Sequence, residues 1–268
     1  MADVDREEEW RALLTGDHKR MQSLRRAFRN IPSPPHCKMC LAPFGGVGGF
    51  LLKPWFGRWE RNSQLCKSCL GFLIKTGVSG AEVPVSMLFA DIRGSTGLGE
   101  RLRPAEFSGL LNAFYRLAAD AIIGSEGIVD KFVGDEAIGL FLPGFAGVDH
   151  AAKAIEAGRM LIKAVGRPGA SANGPIPVGA GVHSGVAYVG TFGSSEQISD
   201  FTALGDAVNT TARLASLAKA GELLVSVAAA DLGRLDASDL ERRTVEVRGR
   251  ESNLEVYSIW PSEAAAPA

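Results

Sequence analysis

"VDKFVGDEAIGLF" (Val129–Phe141) sets Lys131, Asp135 and Glu136 around one glycine, Gly134, in a stretch that is otherwise largely apolar. Split at that glycine, the segment resolves into two strands. "GIVDKFV" (127–133) and "AIGLFL" (137–142) are short runs rich in β-branched and aromatic residues, and Gly134-Asp135 is a Gly-first pair suited to a tight hairpin turn. The charge then has a place: Asp135 at the hairpin tip and Lys131 on the strand that feeds it.

Working outward from the hairpin, "VSMLFAD" (85–91) is a short apolar strand that ends on an acid. "PAEFSGLLNAFYRLAADAII" (104–123) carries Phe107, Leu110, Leu111, Phe114, Leu117 and Ala121 at helical spacing, with Pro104 in the first turn. Downstream, a helix is predicted over roughly 147–166, then "IPVGAGVH" (176–183) and "GVAYVGTF" (185–192) as two strands. "GDAVNTTARLASLAKAG" (205–221) reads as a helix ended by Gly221, and "ELLVSV" (222–227) as a further strand. The order β-α-β-β-α-β predicts an α+β fold with a ferredoxin-like sheet, a scaffold that hosts many chemistries.

Upstream of residue 84 the composition changes. Residues 1–35 are predicted as one helix over 1–30, with Trp10, Leu13 and Leu14 apolar and a basic end, packing on its own domain or a partner, with membrane binding as the lesser alternative; the prolines of "NIPSPPH" break it. Residues 36–75 form a cysteine module in which the chain's four cysteines occur as "CKMC" and "CKSC". Two such pairs, Cys37/Cys40 and Cys66/Cys69, supply four thiolates for a tetrahedral zinc ion, or alternatively for an iron–sulfur cluster; free thiols are the plainest alternative. The aromatic insert "FLLKPWFGRW" (50–59) is expected to pack over that site. "KTGVSGAEVP" (75–84) reads as a linker, and the tail 261–268 as disordered.

The bulk numbers narrow the partners. With 268 residues, 46% hydrophobic, the chain can bury a full domain and a smaller one, and a net charge of -1 gives no bulk electrostatic case for nucleic acid or an anionic membrane. No apolar run approaches the ~20 residues that span a bilayer. The acidic start "MADVDREEEW" lacks a signal peptide's design, so a cytoplasmic setting is expected.

Asp91 comes just before "IRGST", where Gly94, Ser95 and Thr96 are small enough for backbone N–H groups to approach phosphate. Two carboxylates at neighbouring strand ends, Asp91 and Asp135, can hold two divalent ions against a phosphoryl or nucleotidyl centre. Each acid alone is more simply a turn residue or cap; the pair together with Lys131 favours chemistry.

The blocks "MLFADIRGST", "VDKFVGDEAI", "GVHSGVAYVG" and "DFTALGDAVNTTARLASLAKAGELLVS" resemble, in order and spacing, those of class III adenylate/guanylate cyclases, over about residues 84–260. The resemblance implies two Mg²⁺ or Mn²⁺ ions on Asp91 and Asp135, with the carbonyl of Ile92 helping. It implies that Lys131 reads the purine, and that Asn209 and Arg213 orient the ribose and stabilise the transition state. Their i,i+4 spacing puts both on one helix face. The family's second base-reading position falls on Thr202, not Asp200, which is similar to the Thr-type subclass (class IIIb). Lys131 can donate to adenine N1, where guanine presents a donor of its own, so ATP is the expected substrate. Arg250 stands where the family often offers a cation to the terminal phosphates; a solvated strand-edge arginine is equally consistent. His183, apolar-flanked, is expected to be structural. The family builds its sites across a head-to-tail dimer, which implies a homodimer here. A guanylate cyclase, or a non-catalytic nucleotide-binding scaffold of the same fold, is the rival expectation. Retention of every role position argues against the scaffold.

Overall fold

The structure, a computed structural model, describes residues 2–32, 34–59, 64–69, 71, 80–195, 198–246 and 253–260. Arg250 and the tail 261–268 lie outside these residues. In chain order the elements are α1(Ala2–Thr15), α2(Lys19–Phe28), α3(Gly46–Phe56), β1(Gly80–Ile92), α4(Ser95–Arg101), α5(Pro104–Gly124), β2(Ile128–Val133), β3(Glu136–Phe141), α6(Pro143–Ala146) and α7(His150–Val165). They continue with β4(Val178–Ser195), β5(Ile198–Leu204), α8(Asp206–Leu217), β6(Leu223–Ser226), α9(Val227–Leu232), β7(Glu241–Val245) and β8(Leu254–Ile259). Two compact units are present: Met1–Pro84 with Leu142–Gly147 and Ala187–Leu204, and Val85–Phe141 with Val148–Val186 and Gly205–Ala268.

The strand order is β2-β3-β1-β4-β6-β8-β7, with β5 paired to β4. Its first four strands, β2-β3-β1-β4, have the order that a βαββαβ chain gives when folded as a ferredoxin-like sheet, the architecture predicted from the sequence. β1 and β3 are antiparallel, with Asp91 opposite Glu136, and β4 runs parallel to β6. Helix α5 begins where expected, Pro104 in its first turn and Glu106 capping the backbone N–H of Arg103 at 3.0 Å. Leu110, Phe114, Ala118, Ala121 and Ile122 are its buried face, and α7 buries Ala151, Ile155, Leu161 and Ile162. The absence of a side chain at Gly181 lets α8 lie close on β4: a Cβ there would stand 2.5 Å from the Ala215 backbone nitrogen.

In the first unit, Trp10, Leu13 and Leu14 of α1 are buried, and α1 runs close to α6, where a Cβ on Gly144 would stand 2.5 Å from the Leu13 carbonyl oxygen. Arg25 on α2 donates to the Gly144 carbonyl at 2.6 Å.

Several elements differ from expectation. The N-terminal helix is two helices, because Gly16 turns with φ +91° and His18 restarts the chain by accepting from the Met21 N–H. The helix expected over 147–166 is preceded by a separate turn of helix, α6, and starts at His150. The second half of the supposed linker, Gly80–Pro84, is already strand β1. "IPVGAGVH" and "GVAYVGTF" are one strand, β4, not two. The Ser184-Gly185 step does not turn, since Ser184 is buried with its hydroxyl 2.6 Å from that of Ser86, and a Cβ on Gly185 would meet Ala207 at 2.9 Å. Helix α8 ends at Leu217 rather than at Gly221: Ala218 is extended, and Glu222 accepts from the Lys219 N–H to close the following turn.

Candidate active site

The hairpin turn is built as its sequence demands. Gly134 has φ +60° and Asp135 does not take positive φ, the pattern of a Gly-first two-residue turn. The Tyr115 hydroxyl donates to the Gly134 carbonyl, and the Tyr115 ring stacks on Phe132 at 4.4 Å, so α5 holds the turn from outside. Between Val129 and Lys131 the β2–β3 register shifts, leaving Asp130 as the extra residue of a bulge. Such bulges re-aim side chains beside sites. Lys131 lies 3.9 Å from the Asp130 carboxylate and is half-buried.

Asp91, one residue from the end of β1, is brought beside Asp135 by the strand register and by the Ile92 N–H donating to the Asp135 carbonyl at 3.2 Å. Arg93, which sequence reasoning missed, completes the cluster. Its guanidinium pairs with Asp91 Oδ2 and donates at 2.8 Å to the Ser216 carbonyl near the end of α8. Burial pushes the Asp91 carboxyl up to about 6, and the adjacent guanidinium only partly offsets this. Burial acts on Asp135 in the same sense, but hydrogen bonds from Ser95 and Asp91 outweigh it and hold that carboxyl below its ordinary value. Glu136 is pushed up by burial and by repulsion from Asp91 and Asp135. The cluster therefore resists carrying all its negative charge at once.

One atom shows what would relieve it. Asp91 Oδ1 is buried with no hydrogen-bond partner among the described residues. A buried carboxylate oxygen left without a hydrogen-bond partner, beside a second carboxylate, suits a hard divalent cation such as Mg²⁺ or Mn²⁺. These residues fit the metals that the sequence led us to expect.

Gly94 precedes α4 with φ +67°, Ser95 is half-buried and Thr96 exposed. On α8, Asn209 is exposed and Arg213 half-buried, and neither side chain makes a hydrogen bond or ion pair among the described residues. The structure brings Asp91, Asp135, Ser95 and Arg93 together; it does not link Asn209 or Arg213 to them by any such contact. Thr202, in the first unit, is buried on β5 opposite Gly190 of β4. His183 is buried with Nδ1 2.8 Å from the Ser226 hydroxyl, a structural pairing as expected.

The four cysteines converge. Cys37, Cys40, Cys66 and Cys69 are buried, with their sulfurs all within 4.8 Å of one another. Cys40 and Cys66 are 3.7 Å apart, Cys37 and Cys69 4.0 Å. Thiolates placed tetrahedrally about one ion at the zinc–sulfur distance stand about 3.8 Å apart. Four sulfurs so close could hold a single metal ion; a multi-iron cluster spreads its thiolates over several irons and farther apart. Hydrogen bonds among the four sulfurs push the Cys37 and Cys66 thiols below their ordinary value and those of Cys40 and Cys69 above it, so the four do not all ionise together without a cation to share their charge. The insert "FLLKPWFGRW" meets this site through its end only: Arg58 bridges to Cys66 and the Trp59 N–H donates to the Leu65 carbonyl at 2.9 Å, while Phe50, Leu51 and Trp55 face solvent.

Two carboxylates side by side, one near the end of β1 and one at the hairpin turn of a βαββαβ sheet, are a setting for nucleotidyl chemistry. Residues 79–260 match the adenylate and guanylate cyclase catalytic domain, and the chain belongs to that family. It is 28% identical over 188 residues to an adenylate cyclase of Anabaena cylindrica, a match covering 65% of this chain and 36% of that protein. With adenylate cyclase 1 of Rhizobium meliloti the figures are 26% over 189 residues, 65% and 27%. The chain thus spans about a third of the length of the curated relatives it matches. Among solved structures, the guanylyl cyclase Cya2 superposes with a TM-score of 0.61 at 28% identity, covering 68% of this chain and 93% of that one. The adenylyl cyclase CyaB from P. aeruginosa gives 0.58 at 27%, covering 69% and 98%.

Proposed function

We propose that this chain is an adenylate cyclase that converts ATP to 3′,5′-cyclic AMP and pyrophosphate at sites shared between two copies. The observation that carries this reading is the Asp91–Asp135 pair with its unpartnered buried oxygen, one hairpin strand from Lys131. In the reaction the ribose 3′-oxygen bonds to the α-phosphorus of the same ATP, the bond to the β-phosphate oxygen breaks, and the hydroxyl proton passes to solvent. Asp91, Asp135 and the Ile92 carbonyl are assigned to Mg²⁺ or Mn²⁺, which when bound would supply Lewis acidity to the 3′-hydroxyl and to the phosphate oxygens.

The other roles fall to the chain itself. Lys131 donates to adenine N1, and Thr202 accepts from the 6-amino group. Asn209 orients the ribose, and Arg213 donates to the charge that develops on phosphate. The backbone of Gly94, Ser95 and Thr96, together with Arg250, is assigned to the phosphates. The cysteine site is assigned a structural zinc ion, which the single-ion spacing of the sulfurs supports.

A second reading, guanylate cyclase, is favoured by the likeness to Cya2. Incubating purified protein with ATP or GTP, with Mg²⁺ or Mn²⁺, and identifying the cyclic product decides between them. Cyclic AMP is the expected product; cyclic GMP made at an equal or higher rate overturns the adenylate assignment, and no product with either nucleotide overturns catalysis.

A further inference from the structure

Helix α3, "GVGGFLLKPWF", is seated the wrong way round for a core helix. Its small residue Gly49 faces inward, where a Cβ would stand 2.5 Å from the Phe44 backbone. Phe56 turns onto the Phe28 ring at 5.1 Å. Leu52 is half-buried, but four other large apolar side chains point out: Val47 is 76% exposed, Phe50 79%, Leu51 62% and Trp55 66%. Positions 47, 50, 51 and 55 fall on one helical stripe, the pattern that ordinarily marks a buried face. A contiguous exposed stripe of this kind calls for an occupant.

The surroundings say which kind. Beside the stripe lies a groove of about 1050 Å³ that Lys53, Arg58 and Lys67 line, and its described lining contains no acidic residue. Arg58 is held there by its guanidinium over the Phe44 ring, 5.3 Å from the centroid. Lys67 sits inside the second cysteine pair, and its N–H donates to the Gly57 carbonyl at 2.8 Å, so the metal-binding loop sets the cation against the end of α3. The net charge of the whole chain is -1, so this basic rim is local.

We propose that α3 and these three cations dock the protein onto an anionic lipid bilayer. An occupant that buries Val, Leu, Phe and Trp side chains while meeting three cations must be apolar within and negative at its edge, as such a bilayer is. An 11-residue helix is about 16 Å long, too short to cross a membrane and suited to lie in its surface. A second copy docked here about a two-fold axis would set the same cations against one another. A soluble polyanion would leave the aliphatic side chains in water.

The test uses the full chain, cosedimented with vesicles of phosphatidylcholine alone or with about one-third phosphatidylglycerol. Association is expected with the anionic vesicles only, with a blue shift of tryptophan emission, and to weaken as salt is raised. Phe50→Ser/Trp55→Ser and Lys53→Gln/Arg58→Gln/Lys67→Gln should each lower partitioning at least about tenfold. Unchanged metal content and unchanged cyclase activity in solution show that either variant is folded. Equal association of wild type and variants, or none with either vesicle, overturns the proposal. So does an oligomer in solution that Phe50→Ser/Trp55→Ser dissociates, which would assign the face to a second copy.

Discussion

At the residue scale, the tension of the site is concentrated in Asp91. Its folded-state pKa of about 6 lies above the ordinary 3.8, so between these values the folded protein binds more protons than the unfolded chain. Stability of the metal-free protein should therefore fall as pH rises from about 4 to about 6, then level off. The carboxyl is partly open to solvent, so the loss should be about 1 kcal/mol, or a Tm lower by a few degrees (about 2–4 °C). Asp91→Asn should flatten this profile in thermal melts between pH 5 and 7.5 and abolish cyclase activity. Mg²⁺ or Mn²⁺ should raise the Tm of the wild type more at pH 7.5 than at pH 5, and should not raise that of the variant; an equal rise in both would remove Asp91 from the metal site.

Lys131 carries the second residue-scale expectation. Because its donor suits adenine N1 and opposes guanine N1–H, ATP should exceed GTP by at least about tenfold in kcat/KM. Lys131→Ala should lower turnover of ATP and narrow that ratio. If the ratio survives the substitution, the base is read elsewhere.

At the scale of the element, the cysteine loops and the hairpin behave differently. The hairpin is closed by its own turn geometry and by Tyr115, and needs no ion to form. The loops bearing Cys37, Cys40, Cys66 and Cys69 are short pieces whose sulfurs meet in one place, so bound metal should contribute to their folding. Purified protein should carry one zinc ion per chain and show no absorbance above about 300 nm, since zinc has no accessible redox or d–d transition. A coloured protein with bound iron contradicts this. Cys66→Ser should lose the metal and expose residues 36–69 to protease, while the unit that holds Asp91 and Asp135 keeps its own transition.

At the scale of the whole molecule, Asn209 and Arg213 stand on α8 without hydrogen-bond or ion-pair partners among the described residues, and no such contact joins them to the acid pair. If each site takes its acids from one copy and Asn209/Arg213 from the other, Asp91→Ala and Arg213→Ala homodimers should both be nearly inactive. A mixed dimer then concentrates both lesions in one site and leaves its other site intact. Equal mixing makes about half the dimers mixed, each with one working site of two, so activity should return to about a quarter of wild type. Exchange verified by a tagged pull-down without recovered activity would show that the site is not shared.

What the sequence determined by itself was everything written in local periodicity and turn chemistry. Two short β-branched and aromatic runs joined by a Gly-first turn specify the hairpin, a 3.6-residue apolar stripe specifies α5, and two CxxC pairs announce a four-thiolate site, because each depends only on near neighbours in the chain. Tertiary structure decided the rest. Arg93 was not legible as a site residue, because its importance comes from carbonyls more than 120 positions later, at Ser216 and Ala218. The Ser184-Gly185 step reads as a break but is held straight by Ser86 and Ala207, which lie far away in sequence. The aromatic insert after the first cysteine pair reads as packing over the cysteine site. Only packing could show that Gly49 faces inward and that Phe50 and Trp55 stay in solvent, since hydrophobicity says that a side chain favours burial and not what will bury it.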